Sequence, residues 1–468
     1  MKIIIVGAGT VGLSLAQHFS QRKHHIAVIE QNKRLCEDIT NKLDAFMVTG
    51  IGSSPAALES AGIRSADMII AVTPNDETNL LACSFAMQNG VKKRIARVKS
   101  DLYTSNKSHI SLEQLGVTHV IEPEREVTKK ILQYIELPGV LETANFQSDS
   151  IYLRGYQLTD AMPIAYKTLA EIKHMAKTSP MLVVAITRQG QNLPPTGNQK
   201  LLPADKIIVI MPKDSFKTFR SLINCKTTKL KKIIVSGDSL TAIHLAQALK
   251  PLCEQVFLTD PDLEHGRMAA SMLNGVEVLH GDSTDSDFLQ EINVKGSDCF
   301  IAAGKDTEDN IMSCLLAKNE GANNVISIRD NDRHSELFHS LGIDHIINLQ
   351  QITLNAIIEK IQIVSLGTYL KLKTTGIKVV RLKAEKNSSV TGKSLRELDK
   401  VFKKSIIIGC IIRKNSVIIP EGAITIEDND EAIVLCQSQD IDLAHKLFSS
   451  GLRNHFKSIT QYNPKKSL

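Results

Sequence analysis

Tryptophan is absent from this chain, and phenylalanine and tyrosine bring the aromatic share to only 4%. Proteins that grip unpaired bases stack them on aromatic rings beside a basic track. Here lysines and arginines are scattered and the formal net charge is a mild +6, so nucleic acid is not an expected partner. Long apolar runs are missing too. The uncharged stretch from Ile3 to His18 is broken by glycines and falls short of the roughly 20 residues a bilayer span requires. Met1 leads straight into a strand-like run, which leaves no space for a secretory signal and predicts a cytoplasmic chain. The eight cysteines show no Cys-x-x-Cys and no paired spacing, so they read as small buried hydrophobes in a reducing compartment. Neither His-x-x-x-His nor a carboxylate cluster announces a metal. The acidic run from Glu427 to Glu431 reads as a turn with a solvated face.

What the chain does have is a repeat. Lys2 to Gln17 reads KIIIVGAGTVGLSLAQ, and Lys232 to Gln247 reads KIIVSGDSLTAIHLAQ. The likeness continues through Glu30 and Asp260, each closing a second apolar strand, and through Ala66–Ala71 and Ser297–Ala302. Asp76-Glu77-Thr78-Asn79 answers Thr307-Glu308-Asp309-Asn310, each opening an apolar-periodic helix. Strands rich in isoleucine and valine alternate with helical patterns, which predicts α/β architecture: two Rossmann-like lobes with doubly wound parallel sheets, over 1–136 and 230–363.

A second pattern follows each lobe. The strand Val183–Arg188 leads to Pro195, Gly197 and Asp205, and at a constant offset Arg413, Pro420, Gly422 and Asp430 recur. Short strands and Pro/Gly turns predict small α+β domains over 140–222 and 368–450, each with one helix, near Tyr166–Lys177 and Gly392–Val401. Arg125–Gly139 and Gln350–Leu366 have helical period and read as connectors. The tail over 451–468 is polar.

The chemistry concentrates at the first glycine turn. Gly7 permits a tight turn off the strand, Gly9 lets backbone approach a pyrophosphate, and Gly12 lets the helix pack closely on the sheet. The helix start adds free N–H groups and the positive end of its dipole. Glu30, 18 residues after Gly12, can accept both ribose hydroxyls of an adenosine and repels a 2′-phosphate, which favours NAD(H) over NADP(H). A tight structural turn is the competing reading. In the second lobe Gly237 and Asp260 persist, but Ser239 and Ala242 replace the later glycines, and Asp238 adds negative charge beside the phosphate position. That lobe reads better as a structural copy than as a second site. No His–Asp or Lys–Tyr grouping in the following segments suits hydride transfer.

MKIIIVGAGTVG, AVTPNDETNLLAC, RIARVKS, GDSTDSDFL and TEDNIMSCLLAKNEGA, in this order, resemble the tandem RCK (regulator of potassium conductance) family that regulates bacterial Trk potassium uptake. The resemblance covers nearly the whole chain and makes the small domains RCK C-terminal in type. It implies a regulator and not an enzyme, binding NAD(H), with ATP or ADP as further candidates. Gly7, Ala8, Gly9, Thr10 and Val11 would hold the phosphates and Glu30 the adenosine ribose. Thr73 and Pro74 would line the adenosine or nicotinamide side, and Arg97 would reach the phosphates, unless it forms a surface ion pair instead. The implied partners are an integral-membrane Trk-type potassium translocator and further copies of the chain, four to a ring, peripheral on the cytosolic face of the bacterial inner membrane. The rival expectation is a nicotinamide-dependent dehydrogenase with an eroded duplicate, and a third is the same sensor serving another cation channel or antiporter.

Overall fold

A computed structural model describes residues 1–21, 24–40, 43–104, 111–137, 139–147, 149–225, 230–329, 341–361, 368–372, 376–399, 402, 406–414 and 416–450. The polar tail, part of the Lys226–Lys232 run and the end of the second connector lie outside them. The chain forms two compact units, one from the two lobes and one from the two small domains.

Lobe 1 runs β1 (Lys2–Val6), α1 (Thr10–Ser20), β2 (His25–Glu30), α2 (Lys33–Thr40), β3 (Phe46–Thr49), α3 (Pro55–Ser60), β4 (Met68–Ala71), α4 (Asp76–Gln88), β5 (Lys93–Arg97), α5 (Asp101–Thr104), β6 (His119–Ile121) and α6 (Pro123–Ile135). All pairings in its sheet are parallel, in the order β3-β2-β1-β4-β5-β6. Ile3, Ile4, Ile5 and Val6 are all buried, as a central strand covered by helices on both faces demands. The order reverses between β1 and β4, and such a reversal opens a crevice at the carboxyl ends of the strands.

After β7 (Val140–Phe146), β8 (Ile151–Gln157), α7 (Leu169–Met175), β9 (Leu182–Arg188), β10 (Gln191–Leu193), β11 (Lys206–Pro212) and α8 (Phe216–Leu222), the pattern restarts. Lobe 2 has β12 (Leu230–Ser236), α9 (Leu240–Leu249), β13 (Cys253–Asp260), α10 (Leu263–Met272), β14 (Glu277–His280), α11 (Ser286–Glu291), β15 (Cys299–Ala302), α12 (Thr307–Asn319), β16 (Val325–Arg329), β17 (His345–Asn348) and the connector α13 (Leu349–Ile361). Its sheet order, β14-β13-β12-β15-β16-β17, repeats that of lobe 1. Connector α13 packs on α1 and β6 of lobe 1. There Lys93 Nζ donates to the Ile361 carbonyl at 2.7 Å.

The second small domain has β18 (Thr368–Lys371), β19 (Lys378–Lys383), α14 (Leu395–Leu398), β20 (Ile406–Arg413), β21 (Ser416–Ile418), β22 (Glu431–Cys436) and α15 (Ile441–Phe448). Each small domain is a five-stranded antiparallel sheet. Among the described residues each also carries two helices where the sequence predicts one, because α8 and α15 follow the last strand after a 3-10 turn. The two sheets share a core in which Phe146, Leu153 and Ile210 of one meet Val379, Ile412 and Leu435 of the other.

The repeated Arg and Asp of these domains form the same bidentate pair twice, a half-buried guanidinium on a buried carboxylate. Arg188 Nε and Nη2 donate to Asp205 at 2.7 and 2.8 Å, and Arg413 Nε and Nη2 donate to Asp430 at 2.9 and 2.8 Å. Asp430 is therefore part of an ion pair inside the domain, not of a solvated acidic face, and Glu427 also accepts from Arg413. The residue before each aspartate is left-handed: Ala204 at φ 67° and Asn429 at φ 67°. Alanine there pays about 1–2 kcal/mol of steric cost. Glycine removes it but loses about 0.5–1 kcal/mol more chain entropy on folding. Ala204→Gly is thus expected to stabilise the protein by about 0.5–1 kcal/mol, measured as a raised chemical-denaturation midpoint.

Candidate functional site

The glycine turn, the end of β2, the loop after β4 and the end of β5 meet at the lobe 1 crevice. Gly7 has φ +99°, a conformation that side chains rarely adopt, and a Cβ on it would lie 3.1 Å from Thr73 Cγ2. Gly12 is closed for a different reason than close packing on the sheet. A Cβ there would sit 1.9 Å from the Gly7 carbonyl oxygen, so this glycine is required by the turn itself. Gly9 has φ −64°, and a Cβ on it would meet nothing within 4 Å. The protein itself thus gives no steric reason for glycine at that position.

Gly9 is also the N-cap of α1, and it supplies no side-chain cap. The first N–H groups of that helix are left to an outside acceptor. Gly9 and Thr10 are exposed, whereas Gly7, Ala8, Val11 and Gly12 are buried. The Ala8 N–H already has a partner: it donates to Glu30 Oε2 at 2.8 Å, and Asn32 N–H donates to Glu30 Oε1 at 2.9 Å. Glu30 is thereby oriented by backbone while staying half-exposed at the crevice. Thr73 is half-exposed and Pro74 exposed, directly after β4.

Arg97 ends β5, half-buried. Its charge acts on Glu124, in the first turn of α6. Burial pushes the Glu124 carboxyl above its usual range, and Arg97, Lys99 and His244 of lobe 2 pull against it.

Sequence reasoning registered Asn79 only as part of a helix start, and missed what it does. Fully buried, it accepts from Thr73 N–H at 2.9 Å, and its amide donates to the carbonyls of Thr73 at 3.0 Å and Arg97 at 2.9 Å. It therefore ties together two of the loops that line the crevice. Asn310 repeats the arrangement on Gly304 and Ile328. A polar residue within the first turn of an apolar helix in both copies was the available signal. Replacing Asn79 with alanine strands several buried backbone groups. It is expected to cost about 1–3 kcal/mol, read by chemical denaturation.

Lobe 2 places its counterparts differently. Gly237 keeps a left-handed turn at φ +137°. Ser239 caps α9, accepting from Ala242 N–H at 3.1 Å, so the helix start is already filled. Asp260 is fully buried, accepts from Asp262 N–H at 2.9 Å and pairs with His265 Nδ1. The acid that the sequence offered to a second ribose is thus engaged internally.

The family models match what the folds suggest. Residues 3–123 and 233–349 match the TrkA-N domain, and residues 154–224 and 379–449 match the TrkA-C domain. The chain belongs to the TrkA family. The Trk system potassium uptake protein TrkA of Azorhizobium caulinodans is 29% identical over 458 residues, covering 97% of this chain and 99% of the relative. That of Halomonas elongata is 28% identical over 457 residues, covering 97% and 99%. Among solved structures, the GsuK channel bound to NAD aligns with TM-score 0.61 at 16% identity, over 95% of this chain and 78% of that one. The GsuK RCK domain aligns with TM-score 0.60 at 16% identity, over 95% and 94%. At such identities the likeness bears on fold alone. The chain is thus a TrkA-family protein with tandem Rossmann-like lobes, and relatives that match it end to end are named as potassium uptake proteins of Trk systems.

Proposed function

We propose that lobe 1 is the sensor, that its ligand is NAD(H), and that its occupancy sets potassium flux through a Trk-type membrane translocator. The uncapped start of α1 beside the fixed Glu30 carboxylate carries this reading, because it offers N–H donors to a pyrophosphate and an acceptor to an adenosine ribose. Gly7 to Gly12 would surround the phosphates, with Thr73 and Pro74 on the opposite wall and Arg97 at the far end. ATP and ADP share the adenosine and phosphate groups, so they would compete for the same crevice.

In this reading the chain works in a ring of four copies on the cytosolic face of the bacterial inner membrane. No helix among the described residues is long and apolar enough to cross a membrane, so the translocator would hold the ring in place. Nucleotide shifts the ring only by its differential affinity for two ring states. The chain turns over no cofactor.

The test is growth at limiting potassium in a strain deleted for this chain and for parallel transporters. Wild type is expected to restore growth and Gly9→Trp to fail, with equal amounts of each protein and of the translocator present. Steady NADH oxidation with a small carbonyl substrate, or undiminished potassium uptake in the deleted strain, would overturn the reading.

A further inference from the structure

Lobe 2 ties the loops at its crevice together with side chains that lobe 1 lacks. Asp238 stands where lobe 1 has Ala8, and Lys305 where it has Pro74. Lys305 Nζ donates to Asp238 Oδ2 at 2.9 Å, and Lys305 N–H donates to Asp238 Oδ1 at 3.1 Å, tying the glycine turn to the loop after β15. A second tie runs beside it, where the Ser239 hydroxyl donates to the Ala303 carbonyl. The loops also lie closer than in lobe 1. A Cβ on Gly237 would fall 2.2 Å from Gly304 N, against 3.1 Å from the nearest atom for Gly7.

The charge at the mouth has changed as well. Asp238, Asp262, Asp282, Asp306 and Asp309 occupy positions that are Ala8, Asn32, Ile51, Asn75 and Thr78 in lobe 1. Burial, and then the carboxylates of Asp306, Asp282, Glu308 and Asp238, raise Asp309 above its usual range, which reports a negative field there. Asp238 itself is pushed up by burial, but its hydrogen bonds from Lys305 outweigh this and hold it low, while the Lys305 ammonium is held high. Such a mouth repels a pyrophosphate, and the Lys305 ammonium beside it is paired with Asp238. On the ribose side, Asp260 is shorter than Glu30 and is paired with His265, whose counterpart in lobe 1 is Leu35.

We propose that lobe 2 excludes nucleotide because Asp238, Ser239, Lys305 and the Asp260–His265 pair occupy or close its crevice, making it the fixed half of the two-lobe unit. This rests on the reading of lobe 1 as the nucleotide site. Five substitutions restore the residues of lobe 1: Asp238→Ala, Ser239→Gly, Asp260→Glu, His265→Leu and Lys305→Pro.

The experiment measures NADH stoichiometry on the full chain by calorimetry. Wild type should bind one NADH per chain and Gly9→Trp none. Gly9→Trp with the five substitutions should regain one, with a dissociation constant within about tenfold of the value for lobe 1. Hydrogen–deuterium exchange on the unmodified protein gives a readout that does not depend on the substituted chain folding. NADH should slow exchange across 7–12 and leave 237–242 unchanged. The closure is overturned if Gly9→Trp alone still binds one NADH per chain while wild type binds two. Protection of 237–242 by NADH in the unmodified protein, or a folded five-substitution chain that stays empty, would overturn it too. Failure of wild type to bind any NADH would sink the lobe 1 reading instead, and the five-substitution chain then decides the closure alone.

Discussion

Gly9→Trp is expected to abolish NADH binding, by at least about 100-fold or ~2.7 kcal/mol, while the thermal midpoint stays where it was. Two observations separate binding from folding here. The Gly9 backbone is in an ordinary conformation, at φ −64°, and the direction of its missing Cβ is empty for 4 Å. A side chain at this position therefore obstructs only a molecule approaching the start of α1. Gly12→Ala provides the contrast. Its methyl would overlap the Gly7 carbonyl at 1.9 Å, so the turn must shift, at a cost of about 1–3 kcal/mol, and binding falls together with stability. Titration of NADH fluorescence and thermal melts on the same samples distinguish the two. If Gly9→Trp binds within twofold of wild type, the glycine turn is structural and the sensor lies elsewhere.

Arg188→Ala is expected to be among the most destabilising single changes in the small domains, at about 3–5 kcal/mol. The loss of attraction is the smaller part. The side chain of Asp205 is wholly buried, and without the guanidinium the donor that remains to it among the described residues is Leu202 N–H, at 2.8 Å. Arg413→Ala leaves Asp430 in the same position, with Glu427 N–H at 2.8 Å, and should cost a similar amount. Replacing both members of one pair with apolar residues of like size should cost much less than either single change, because no buried charge is left alone. Chemical denaturation of the single and double variants checks both statements. A loss below 1 kcal/mol in both single variants would show that the buried aspartates find water or another partner.

Much of the architecture was legible because it depends on short-range patterns. Ile3 to Val6 was legible as a strand of a parallel sheet, since four consecutive β-branched residues suit a strand covered on both faces. The glycines after it and Glu30 at the end of the next strand followed from spacing along two adjacent parallel strands. The small domains were legible as a repeat but not fully as structure. Their closing helices α8 and α15 are only seven and eight residues long, too short for periodicity to stand out from the strand before them.

The sequence alone determined the two lobes, the two small domains, their duplication and the place of the glycine turn, because backbone conformation and alternation of burial are properties of neighbouring residues. Tertiary structure alone decided which groups at the crevice are already occupied. The Ala8 N–H is taken by a carboxylate 22 positions away, Asn79 bridges to the end of β5, and Lys305 crosses to an aspartate 67 positions earlier. Those contacts depend on which loops the winding of the sheet sets side by side. No local pattern distinguishes an aspartate that awaits a ribose from one that has already found a histidine.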